Sequence, residues 1–92
     1  MRSREELSRL GMMLLGRLYK QTTPPLDFKK FLKDIKEGKT KCPERWYMQH
    51  TITRKKYDDT ISKFKKQYKI TELEWRGFQW LLLDYSPAFK PE

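Results

Sequence analysis

The segment RKKYDDTISKFKKQYK, residues 54–69, decides how the fold is read. It sets seven Lys/Arg and two Asp around four large apolar residues. Tyr57, Ile61, Phe64 and Tyr68 recur at i, i+4, i+7 and i+11, which is one stripe of an α-helix. At about 100° per residue, Lys55, Lys56, Lys63 and Lys66 point to the far side. A half-buried strand would need strict alternation, and the segment has none. Thr53 stands where an N-cap belongs, because its hydroxyl can accept a free amide of the first turn. The segment therefore predicts an amphipathic helix with an unusually basic back.

The neighbours follow the same period. Thr71-Glu72-Leu73-Glu74 is a capping box, and Ile70 and Trp75 flank it as a hydrophobic staple. The helix it opens, ELEWRGFQWLLLDY, is apolar on more than one face. Such a helix is either the buried centre of a bundle or has a partner on its second face. At the other end, Ser3 and Glu6 form a further capping box, and Leu7, Leu10, Leu14 and Leu18 continue at helical spacing. Gly11 and Gly16 weaken that helix and offer a place for another helix to approach. QTTPP breaks it.

A second helix is expected from Pro25 or Leu26, since proline suits a first turn. Phe28, Phe31, Leu32 and Ile35 share one face. Gly38 supplies its stop. GKTKC is then a basic loop, and Pro43 opens a short helix, PERWYMQH. Thr51-Ile52-Thr53 is read as a turn and SPAFKPE as a proline-stopped tail from about residue 86. No segment alternates long enough to predict a strand. The expectation is an all-α single domain over residues 1–92, a small bundle of four to five helices.

Composition bounds the function. With 92 residues the chain builds one small core, and 37% apolar with 14% aromatic residues points to a core of a few large side chains. One cysteine, Cys42, excludes an intramolecular disulfide and suits a reducing, cytoplasmic setting. No apolar run is long enough to span a bilayer. Leu10 to Leu15 is short and follows Glu5 and Glu6, which is wrong for a secretory signal. The net charge is +9. Residues 28–69 hold fourteen Lys/Arg against five Asp/Glu, so the middle of the chain carries the whole excess. An asymmetry of this kind favours an anionic partner.

Catalytic groups are sparse. His50 and Cys42 lack a third orienting group, and one Cys with one His falls short of a zinc site. Asp58 and Asp59, adjacent on a helix, diverge by about 100°. The four glycines are scattered and make no phosphate loop. The reading is a non-enzymatic chain with no cofactor and no metal. Its basic residues fall into one ridge at Lys55, Lys56, Lys63 and Lys66 and another at Lys29, Lys30, Lys33 and Lys36. Lys39, Lys41 and Arg54 add to them. Placed together, they would release counterions from nucleic acid, DNA or RNA. Residues 43–50, 51–53 and 54–69 also have the lengths of a helix-turn-helix, though the turn lacks glycine. Trp46, Tyr47 and Tyr68 are placed either to stack on bases or to fill the core. The alternative class is an adaptor or inhibitor that docks on an acidic protein surface, or on a second copy, through residues 72–85. Trp75, Trp80 and Leu83 would be its anchors. A membrane-surface role ranks below both, because the bundle itself needs the apolar stripe.

Overall fold

The computed structural model describes residues 2–39 and 49–90. Four helices and two short strands follow in the order α1 (Arg4–Lys20), α2 (Phe28–Lys36), β1 (Thr51–Thr53), α3 (Arg54–Gln67), α4 (Glu72–Tyr85) and β2 (Ala88–Lys90). The domain is small and mostly helical, as expected.

The caps explain the boundaries. Ser3, Thr53 and Thr71 each accept the backbone N–H three residues on, from Glu6, Lys56 and Glu74. At Thr71 the reciprocal bond is also made, from the Thr71 N–H to the Glu74 carboxylate. Helix α2 starts later than its prolines suggest. Asp27 is its N-cap, accepting from the Lys30 N–H at 3.2 Å, and Pro24 and Pro25 lie in the connection before it. A side-chain acceptor outweighs a favourable φ as the start signal here. The end of α2 is a Schellman turn. Gly38, at φ 72°, donates to Ile35 O, and Lys39 donates to Asp34 O.

Helix α1 occupies the centre. Leu14, Leu15, Leu18 and Tyr19 are fully buried, and α2, α3 and α4 all pack on α1. Phe28, Ile52, Phe64, Phe78 and Leu82 complete the core from the other elements. Each large apolar side chain removed from water contributes about 1.5–3 kcal/mol. Tyr19 joins three elements. Its ring stacks on Phe28 with centroids 5.3 Å apart, and its hydroxyl donates to Tyr85 O at 2.6 Å. Burial pushes that hydroxyl above the ordinary tyrosine range. Beside it, the His50 Nδ1–H donates to Pro24 O at 2.7 Å, because a carbonyl can only accept.

Two expectations are corrected. Thr51-Ile52-Thr53 is a strand and not a turn, and the tail carries a strand as well. The two pair in parallel, with Ile52 opposite Phe89. On its other side β1 bridges Thr23 through two backbone bonds of 2.8 and 3.2 Å. Buried Ile52, flanked by two β-branched threonines, suits that central position. The fold is therefore helical with a small sheet, not all-α. With 51–53 in a sheet, the turn that a helix-turn-helix needs is absent. Its first helix, residues 43–50, falls almost wholly outside the described residues. Gly16 is likewise no point of close approach, since a Cβ placed there meets nothing within 4 Å.

At the edge of the core the first residues are fastened to α4. The Glu74 side chain is buried and accepts from the Thr71 N–H, the Arg2 N–H and the Arg2 guanidinium at 3.0–3.2 Å. The Arg2 guanidinium also donates to Tyr68 O. The Thr71 amide foremost, and then Arg2, hold the Glu74 carboxyl down at about 2 against the opposing effect of burial.

Candidate functional site

Central α1 brings cations from three helices to adjoining hollows. Between α1 and α3 lies a cleft of about 430 Å³ lined by Arg17, Lys20, Gln21, Lys56, Asp59 and Lys63, with Thr60 at its floor. On the other flank of α1, a hollow of about 340 Å³ is lined by Arg17, Lys20, Asp27, Phe28 and Lys29, together with Met12, Met13 and Gly16. Arg17 and Lys20 belong to both. A third hollow continues along α1 past Arg9 to Lys29.

The α1–α3 cleft is held rigidly. The Thr60 hydroxyl donates to Lys56 O at 2.7 Å and accepts from the Gln21 amide at 2.6 Å, tying the end of α1 to α3. Arg17 donates to Gln67 Oε1 at 2.8 Å. Its guanidinium carbon lies 5.3 Å from the Phe64 ring centroid and 5.5 Å from that of Tyr68. The guanidinium is thus preorganised on the core it borders. Among the described residues Asp59 is the one acid in this cleft and Asp27 the one acid in its neighbour, so the described lining of both keeps an excess of positive charge.

The residues singled out in the sequence divide into groups. Lys56 and Lys63 line the α1–α3 cleft, and Lys29 lines the hollow across α1. Lys30, Lys33, Lys36, Lys55 and Lys66 are exposed and line none of these three hollows. Lys39 pairs with Glu37 at 2.9 Å, and Arg54 with Asp58 at 3.7 Å. Lys41 lies outside the described residues, as do Trp46, Tyr47 and Cys42. Tyr68 is half-buried beneath Arg17, in the core rather than free to stack. Sequence reasoning missed Arg9, Arg17 and Lys20. Arg17 and Lys20 form an i, i+3 pair on one face of α1, which was readable. That this face lies between Lys56 and Lys29 is a tertiary fact.

A second surface lies on α4. Leu73, Trp80 and Leu83 are 66%, 77% and 78% exposed. The buried centre is α1, and α4 does present an uncovered apolar face. Trp75 is half-buried, against Phe78 and under the Lys65 ammonium at 4.8 Å. Among the described residues, no helix is long and apolar enough to cross a membrane.

Comparison with family models, with curated proteins and with solved structures gives no match.

Proposed function

We propose that the chain is a non-enzymatic module that binds nucleic acid, chiefly through its phosphates, within a larger nucleoprotein assembly. The observation that carries this reading is the sharing of Arg17 and Lys20 by the two hollows. Through them, Lys56 and Lys63 of α3 and Lys29 of α2 border one continuous cationic track along α1. A phosphate backbone is the extended polyanion that fits a track of spaced cations on a rigid floor. The first turn of α3 adds to the field. It holds Arg54, Lys55 and Lys56 with no acid at the positive end of the helix dipole.

The test is fluorescence anisotropy of labelled duplex DNA, single-stranded DNA and RNA, titrated across a salt series. Five track cations predict a log–log salt slope of about −4 to −5 on duplex DNA. Affinity then falls about 500-fold between 50 and 200 mM salt. Reversing Lys56 and Lys63 to Glu is expected to shrink the slope by about two. Reversing exposed Lys30 and Lys33 is expected to change it less. Equal effects of the two pairs refute the track, and loss of all binding near 150 mM salt refutes nucleic acid as the partner.

A further inference from the structure

A groove of about 620 Å³ runs between α4 and the C-terminal strand. Its walls include Tyr57, Trp75, Leu82, Leu83, Pro87 and Phe89. Among the described residues no charged side chain lines it, so it is the apolar counterpart of the cationic track. Leu83 belongs both to this groove and to the outer stripe of α4, where Leu73, Trp80 and Leu83 recur at i, i+7 and i+10. The apolar surface therefore continues out of the groove. Phe89, 52% exposed, closes the far end against Tyr57, with ring centroids 4.4 Å apart. Small domains rarely leave such a patch uncovered without a partner for it.

Charge on the rim selects the partner. Lys65 overhangs Trp75, and Arg54 and Lys90 share a hollow with Phe89. Arg76 falls on the same helical stripe as Leu73, Trp80 and Leu83. Among the described residues, two acids near the rim are already engaged, Asp58 by Arg54 at 3.7 Å and Glu72 by Lys65 at 4.0 Å. A second copy would bring the same cations and a further +9 against this rim, so self-association is opposed. We infer that the groove docks an acidic segment of another protein, with two or three large apolar side chains on one face. The apolar groups fill the groove and the acids meet Arg76, Lys90 and Lys65.

This inference is independent of the nucleic-acid reading. Lys56 in the cleft and Lys65 over Trp75 are nine residues apart, about 180° around α3. The two surfaces therefore flank the buried stripe on opposite sides and can be occupied together.

The experiment uses a fluorescein-labelled 16-residue peptide with Leu and Trp at i, i+3, i+4 and i+7 and Glu elsewhere. Two controls are a scrambled peptide of the same composition and one with Lys in place of Glu. Anisotropy is read on the full chain, with and without saturating duplex DNA. The Glu peptide is expected to bind in the micromolar range, at least tenfold tighter than either control, and to keep its affinity when DNA is present. Leu83→Glu is expected to weaken it at least tenfold with an unchanged circular dichroism spectrum. The pair Arg76→Glu and Lys90→Glu, neither of which lines the groove, is expected to weaken it similarly. Equal binding of the Glu and Lys peptides overturns the inference, as does absence of binding at 100 μM. Concentration-dependent dimerisation in light scattering that Leu83→Glu abolishes would assign the groove to a second copy instead.

Discussion

Lys69→Gly is expected to stabilise the domain although it adds no contact. Helix α3 ends as α2 does. The Ile70 N–H reaches back to Lys65 O at 2.9 Å, and the residue before it takes a positive φ. In α2 that residue is Gly38, and in α3 it is Lys69, at φ 51°. A side chain in the left-handed region costs about 1–2 kcal/mol, because Cβ crowds the following carbonyl. Glycine removes that cost but adds about 0.5–1 kcal/mol of unfolded-chain entropy. The net gain is about 0–1.5 kcal/mol, centred on ~0.75 kcal/mol, which is about 3–6 °C in Tm for a domain of this size. Urea denaturation and a thermal melt measure it. Lys69→Ala is the necessary control. On a chain of net charge +9, loss of any lysine relieves self-repulsion, and alanine relieves it while keeping the Cβ. If alanine stabilises as much as glycine, the gain is electrostatic and the backbone argument is wrong. If neither stabilises, the strain is not there.

Two further outcomes are expected. Glu74 is held at about 2, below its ordinary value of 4.5, so the unfolded chain takes up that proton first as pH falls. Its contribution is complete above about pH 4.5 and is lost as pH falls toward 2, and Glu74→Gln should flatten melting temperature across that window. Gly16→Ala should raise stability by about 1 kcal/mol in urea denaturation, because alanine favours the helix and its methyl group meets nothing within 4 Å.

Much of the fold was written locally. Ser3, Thr53 and Thr71 marked three helix starts, Gly38 marked a stop, and the stripe of Tyr57, Ile61, Phe64 and Tyr68 set the buried side of α3. Each of these signals lies within a few residues of the feature it controls. The strands were hidden for the opposite reason. Three residues are too few to display an alternation, and Ile52 is separated from its partner Phe89 in the chain by the whole of α3 and α4. The β-branched triplet was a readable hint, as were the prolines bounding Ala88 to Lys90. The centre of the bundle was also left open, since α4 could be that centre or carry a partner on its second face. Helix α4 has the more apolar sequence, yet the bundle closes around α1, on which α2, α3 and α4 all pack, because burial depends on how many neighbours a helix has. The same limit applied to the cationic track. Its lysines were visible one helix at a time, but the residues that join them, Arg17 and Lys20, looked ordinary until α1 was seen between α2 and α3.

The central place of α1 sets an order on biosynthesis. The helix that α2, α3 and α4 cover is made before all three, and α4, which packs along it, is made after α2 and α3. At roughly 5–20 residues per second, several seconds separate the two. Throughout that interval Leu14, Leu15, Leu18 and Tyr19 form an apolar ridge with incomplete cover. The parallel pairing of Thr51–Thr53 with Ala88–Lys90 comes later still. The nascent chain therefore exposes this ridge until α4 has been made, and in that interval the ridge is its surface most open to premature association.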